Sequence, residues 1–473
     1  MKPGQVGETL RRTNRWWRTA TAGGASWVST DPDLCSVAQA RLSYRPTPLE
    51  HLLPGGLYVL RGPRRVGKSV ELKRAIAGLV EQGIAPRRII HASVDGWRDA
   101  DLGTLFTAGR EIETRGVTQT RFWFIDEITS VVGDWANRIK WLRDNTEFRD
   151  DCVVLTGSSS ASFDHATKAL AGRRGNAVDS ERTLLPMGFG AFCRAIGLDL
   201  DLPHAIEPRD LHSPAAMDAL MTLQPYQTDL VNAWETYLVV GGFPQAVDDY
   251  LRHGQVQDAL VDALWDVVYG DAIRSVRFST TQTQSLLSML AIGLCSPVNV
   301  SRLAADLAAS RDTVTARLRD LYAAYLAWPC HLSERGTPKL RAQNKVYFVD
   351  PLLARLASRR QPVLEAPSLD RLSEQQLGVA LARQAEAVHP GTYPRFESVL
   401  FHRSATGSEV DFVSPHPPTV PLESKYTDGP WRREAQTMRA EFGSGVMATR
   451  SLLEFDRHIW AVPAAMVALL LEP

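Results

Sequence analysis

The run Gly62-Pro-Arg-Arg-Val-Gly67-Lys68-Ser69 constrains this chain more than any other feature of it. Two glycines enclosing four residues allow a tight loop, because glycine reaches backbone conformations closed to other residues. A lysine and a hydroxyl residue then complete the pattern Gly-x-x-x-x-Gly-Lys-[Ser/Thr] of a phosphate-cradling P-loop. The N–H groups of such a loop and the N-terminus of the helix behind it bind phosphate, the lysine neutralises charge, and the serine hydroxyl ligates Mg²⁺. The candidate cradle is Gly62, Pro63, Arg64, Arg65, Val66, Gly67, Lys68, Ser69 and Val70.

The flanks decide between this reading and an exposed lysine in a glycine-containing turn. Leu57-Tyr-Val-Leu60 is a short apolar run, and after Lys68 the residues Leu72, Ala75, Ile76 and Leu79 fall at helical spacing, so the order is strand, loop, helix. Further strands are predicted at Arg88 to Val94, Phe122 to Ile125 and Cys152 to Leu155. Strands alternating with helices imply a parallel sheet covered on both faces. The strand at Phe122 runs into Asp126-Glu127, where a second Mg²⁺ ligand and a water-activating base belong; acidic capping of a helix is the competing account. The fourth strand ends in Thr156-Gly-Ser-Ser-Ser160, hydroxyls that either reach a γ-phosphate or serve ordinary turn chemistry.

A chain of 473 residues exceeds one ordinary domain. Lys plus Arg and Asp plus Glu number 53 each, so no global field draws it to nucleic acid or an acidic membrane, and any basic surface must be local. The five cysteines are odd in number and lack a Cys-x-x-Cys pair, which argues against a disulfide framework and for a reduced, cytoplasmic setting. The arginines and tryptophans of Arg11 to Arg18 precede no apolar core, so no secretory signal is expected. The uncharged stretch Ser279 to Ser301 opens on Ser, Thr and Gln, which predicts soluble helix and turn and no membrane partner.

Met217 to Val276 reads as helices broken by Gly241-Gly242-Phe243-Pro244. From Asn299 two short amphipathic helices meet at Ala308-Ala309-Ser310, and a hairpin around Gly336-Thr337-Pro338 ends in Val346 to Val349, the order of a winged helix. Arg359 to Ser368 reads as a linker, followed by a separate α/β unit with strands Val410 to Val413 and Val420 to Lys425.

Taken in order, the P-loop, Phe-Ile-Asp-Glu, Leu-Thr-Gly-Ser-Ser-Ser, Leu-Ala-Gly172-Arg173, Leu-Pro186-Met-Gly-Phe189, Gly241-Gly242-Phe243-Pro244 and Glu409-Val-Asp411-Phe-Val make the chain resemble prokaryotic AAA-type ATPases that end in a restriction-endonuclease-like domain of unknown function. The likeness covers roughly residues 45 to 430 and implies an α/β fold: a P-loop NTPase parallel sheet with helical lid, winged helix and a C-terminal restriction-endonuclease-like domain. The expected segments are a helical arm (1–45), the ATPase core (46–205), the lid (206–290), the winged helix (291–360) and the last domain (361–473). The resemblance implies ATP and Mg²⁺ as cofactors. It gives Lys68 and Ser69 the Walker A roles, Asp126 (metal) and Glu127 (base) the Walker B roles, and Ser158 or Thr156 a sensor role. Arg173 is a candidate arginine finger, a group often supplied by a neighbouring copy in a homo-oligomer; a solvated loop arginine is the plainer alternative.

Two effector sites are conceivable. Leu303, Leu307, Val314, Leu318 and Leu321 would form the core of the helix pair, leaving Arg311, Thr313, Arg317 and Arg319 outward, with Arg335, Lys339, Arg341 and Lys345 on the hairpin. Such local charge suits DNA phosphates, though a protein partner or a solvated face accounts for it too. In the last domain, Asp411 and Glu423-Ser-Lys425 fit a second Mg²⁺ site of the D…ExK type, but Gln376 stands where a further acid is expected, with Glu374 as a substitute, and Glu71-Leu72-Lys73 is a decoy of the same motif. The expected function is Mg²⁺-dependent ATP hydrolysis driving domain rearrangement; the rivals are a nucleotide switch with negligible turnover and an ATP-gated DNA nuclease or DNA-binding regulator. The C-terminal domain is expected to show no nuclease activity.

Overall fold

The computed structural model describes residues 1–19, 27–112, 120–158, 160–198, 200, 204–272, 279–361, 363–388, 399–414 and 420–472. Ser159 and Val276, both named above, lie outside these. The chain forms two compact units, Met1–Leu184 and Leu185–Pro473.

In the first unit the strands are β1 (Leu57–Arg61), β2 (Ile89–Ser93), β3 (Phe122–Asp126), β4 (Cys152–Gly157) and β5 (Glu181–Thr183), in the order β2-β3-β4-β1-β5. All pairs are parallel. The apolar runs β1, β3 and β4 are wholly buried, as strands covered on both faces must be. The sequence reading does not foresee β5: Glu-Arg-Thr has no apolar signal, and as an edge strand it pairs with β1 and anchors through an ion pair from Glu181 to the buried Arg61.

The opposite edge, β2, offers unpaired backbone groups of the kind folded proteins cover. The N-terminal arm covers it with side chains. The Asn14 amide donates to His91 O (2.9 Å) and accepts from His91 N (2.7 Å), while Trp16 and Trp17 both donate their indole N–H to Ile89 O (3.0 and 2.9 Å). This accounts for the tryptophan pair. The decoy triplet is structural too: Glu71 pairs with Arg74 (2.6 Å), and Lys73 reaches from the helix Lys68–Glu81 to Asp31 and Asp33.

The second unit sets helices on a mixed sheet. Its strands are β6 (Ala327–Glu334), β7 (Thr337–Pro338), β8 (Lys345–Phe348), β9 (Leu400–Arg403), β10 (Glu409–Val413), β11 (Leu422–Ser424), β12 (Gly445–Thr449), β13 (Glu454–Phe455) and β14 (Ile459–Pro463). The order is β13-β14-β12-β11-β10-β9-β6-β7, with β8 also on β6. Three expectations are corrected here. First, the last α/β segment is not separate: β9 pairs in parallel with the hairpin strand β6 through His331↔Leu400 and Leu332↔Phe401, so one sheet runs through both. Second, the expected core boundary at 205 falls too late, because Phe189 stacks edge-on against Trp234 (4.8 Å) and Phe192 lies against Tyr237 (5.3 Å), burying the helix Phe189–Ala195 in the second unit. Third, the expected linker begins inside a helix, Pro351–Arg360, whose Arg359 and Arg360 pair with Asp258 (2.8 Å) and Asp262 (3.0 Å).

The breaker Gly241-Gly242 is a contact point. A Cβ on Gly242 would meet Met187 O at 2.1 Å, and the Gly242 N–H donates to the buried carboxylate of Asp350 (2.7 Å). The helices Val300–Asp306 and Arg311–Ala323 are capped by Asn299 and Ser310 and lead into the β6 hairpin. Leu307, Val314, Leu318 and Leu321 are buried, and Leu303 is half-buried. Among the described residues no helix is long and apolar enough to cross a membrane.

Candidate functional site

The loop after β1 takes the shape its glycines allow. Gly62 has φ +148° and lies so close to Leu184 that a Cβ would meet its carbonyl oxygen at 1.9 Å. Gly67, φ +99°, begins the helix Lys68–Glu81 in the left-handed region. Lys68 is buried, and its ammonium donates to Gly62 O (2.9 Å) and Pro63 O (2.8 Å), drawing the loop around one positive charge.

Because β4 lies between β1 and β3, the ends of the three strands converge at the carboxyl edge of the sheet, where open α/β sheets bind ligands. The Ser69 hydroxyl donates to Asp126 Oδ2 (2.7 Å). Thr156 of β4, fully buried, donates to Asp126 Oδ1, which also accepts the Glu127 N–H (3.1 Å). Glu127 sits at φ 57°, a left-handed turn that a non-glycine residue adopts only when its surroundings enforce it. Burial raises its carboxyl above the ordinary glutamate value while Lys68 pulls it down. Asp126, Glu127, Lys68 and Ser69 are thus brought together. Ser158 is buried just past β4, but the hydroxyl on Asp126 is that of Thr156. The sequence reading passed over Asp95, whose charge also bears on Glu127; it follows β2 without any motif.

Ser69 Oγ and Asp126 Oδ2 are adjacent hard oxygen donors, the ligand type Mg²⁺ takes. They are the residues that would hold it, and the ion would neutralise phosphate charge there.

Arg173 is not part of this chain's own nucleotide site. It forms a bidentate pair with Asp144 (Nε to Oδ1 3.1 Å, Nη2 to Oδ2 3.0 Å), and the neighbouring Arg174 O accepts from Leu57 N, at the amino end of β1 and the far end of the sheet from the P-loop.

In the second unit the sequence-predicted acids also converge. Asp411 N donates to Glu423 Oε2 (3.0 Å), Ser424 N to Asp411 Oδ2 (2.9 Å), and Lys425 lies 3.4 Å from Glu423. The helical acid facing them is Glu374; Gln376 points to Tyr237 (3.4 Å). Burial, with Asp411 adding to it, pushes Glu374 up to about 7 and Glu423 up to about 8. Two basic residues expected on the exposed face are withdrawn from it. Arg317 is 1% exposed and bonded to Asp320, and Lys345 is buried among Glu374, Glu409 and Asp411. A lysine opening the apolar strand Val346 to Val349 was the available signal for the latter. Arg311, Arg319, Arg335, Lys339 and Arg341 are exposed, and Thr313 is half-buried. Among the described residues no group of three or more His, Cys, Asp and Glu is arranged to hold a metal ion.

Residues 55–193 match the family described as an AAA domain, and residues 231–363 match a domain of unknown function (DUF8612). No curated protein matches the chain. Among solved structures, a Walker-type ATPase of Pyrococcus abyssi is similar over 64% of this chain and 90% of that one, at 15% identity and a TM-score of 0.39. Residues 55–193 thus match an AAA-type P-loop domain, and ATP binding and hydrolysis are the activities that this family match supports.

Proposed function

We propose that the chain is a Mg²⁺-dependent ATPase in which Lys68 and the loop N–H groups hold the phosphates, Ser69 and Asp126 hold the ion, and Glu127 takes the proton of the attacking water. The observation that carries this reading is the bonded row Ser69, Asp126, Thr156, which joins the start of the P-loop helix to the ends of β3 and β4. Thr156 fixes the Asp126 carboxylate, so the aspartate presents one oxygen to Ser69 while Glu127 is turned out of the strand beside it. In this reading hydrolysis drives rearrangement of the rest of the chain. Lys68→Ala should abolish ATP binding, and Ser69→Ala should keep binding but shift half-maximal Mg²⁺ activation at least tenfold upward, read by calorimetry and by phosphate release. Unchanged binding in Lys68→Ala would remove the loop from the site.

A second reading concerns the helices Val300–Asp306 and Arg311–Ala323 with their hairpin, which we take as a winged helix whose exposed Arg311, Arg319, Arg335, Lys339 and Arg341 contact DNA phosphates. Each phosphate contact removed should reduce the slope of log K against log salt by about one. Charge reversal of Arg319 and Arg341 together is the test, by fluorescence anisotropy on duplex DNA, and an unchanged slope would place any DNA contact elsewhere.

A further inference from the structure

Lys345 opens β8 and on sequence belongs with the outward basic residues of the hairpin. Its side chain is instead 1% exposed, and its ammonium lies 2.9 Å from Glu374 Oε1, 2.7 Å from Glu409 Oε1 and 2.9 Å from Asp411 Oδ1. An ammonium has three N–H donors, and here each finds one carboxylate. Two acceptors come from β10, where Glu409 and Asp411, two residues apart, face the same way; the third comes from the helix Leu369–Val388.

The spacing discriminates between cations. Oxygens 2.7 to 2.9 Å from a central atom are at charge-assisted hydrogen-bond length, whereas Mg²⁺ demands roughly 2.0–2.1 Å. Each of these carboxylates accepts a further bond within the chain. Tyr347, on the same face of β8 as Lys345, donates to Glu374 Oε1 (2.6 Å), Ser424 N donates to Asp411 Oδ2 (2.9 Å), and Arg403 pairs with Glu409 (2.8 Å). Glu423, the remaining acid of the cluster, accepts the Asp411 N–H and pairs with Lys425.

We propose that Lys345 is the resident cation of this carboxylate cluster, occupying the place a divalent ion would need and closing a latent metal site by an ionic latch from the hairpin. This adds to the ATPase reading and is independent of it. The acids sit near one another, as the D…ExK motif requires, yet the folded domain takes no metal because its own lysine neutralises them.

The test is Mn²⁺ binding by full-length protein without nucleotide, followed by electron paramagnetic resonance in an Asp126→Asn background that removes the P-loop ligand. With Lys345 present, no Mn²⁺ should be retained at the second unit. Lys345→Met, which keeps the stem and removes the charge, should bind one Mn²⁺ at least tenfold more tightly, lose it again with Asp411→Asn, and gain melting temperature with Mn²⁺. A folded Lys345→Met chain that binds no Mn²⁺ overturns the proposal. Should that variant fail to fold, the chain with Lys345 intact decides: Mn²⁺ bound there and lost on Asp411→Asn overturns the proposal, and its absence upholds the lysine as the resident cation.

Discussion

Lys68 and Lys345 are both buried cations, and their partners separate their roles. Lys68 donates to two carbonyls of its own loop and pulls the neighbouring Glu127 carboxyl down; Lys345 is held by three carboxylates. Arg173 shows the same logic at the surface. Its guanidinium is paired with Asp144 at the far end of the sheet from Lys68, so it can act on a nucleotide only in another copy of the chain. Arg173→Ala should leave ATP binding unchanged and reduce turnover, and mixing it with a Lys68→Ala chain that still offers its arginine should restore part of the rate. Unchanged turnover would leave Arg173 as the structural partner of Asp144 alone.

Among the elements, the Gly241-Gly242 turn carries the clearest energetic demand. A side chain at Gly242 would strike Met187 backbone, which cannot move aside as a flexible side chain could. Gly242→Ala should therefore destabilise the second unit by about 1–3 kcal/mol, measured by urea unfolding. The acceptor at this turn adds a pH dependence. Burial pushes Asp350 up to about 6 from an ordinary 3.8, although the N–H groups of Gly242 and Leu352 act against it. The folded chain thus takes up the proton before the unfolded one, and this group's contribution to stability declines as pH rises through that interval. Lowering the pH from about 7 to about 5 should stabilise the wild type relative to Asp350→Asn. A constant difference between the two would contradict the assignment. The strands at these scales were legible unevenly. Runs such as Phe122-Trp-Phe-Ile are apolar throughout because both faces are buried, whereas β5 and the Asn14 cover of β2 arise from edge pairing, which leaves no periodic signal.

For the whole chain, the P-loop unit could be read because its ligands follow strands whose order is written locally, one motif after each. The second unit could not be divided correctly, since the pairing of His331 with Leu400 joins segments far apart in sequence by backbone bonds that name no residue type. For the same reason the hairpin lysine Lys345 reads from sequence as outward-facing: the acids that claim it come from a different part of the chain. The proposed hydrolysis requires Glu127 to act as base beside an aspartate fixed by Ser69 and Thr156. The most direct measurement is single-turnover ATP hydrolysis by wild type and Glu127→Gln at saturating Mg²⁺, with nucleotide affinity determined in parallel. The expected result is equal affinity and hydrolysis lowered by on the order of a hundredfold or more in the variant, the scale of losing a general base. Equal hydrolysis rates in the two proteins would contradict the role of Glu127 as base.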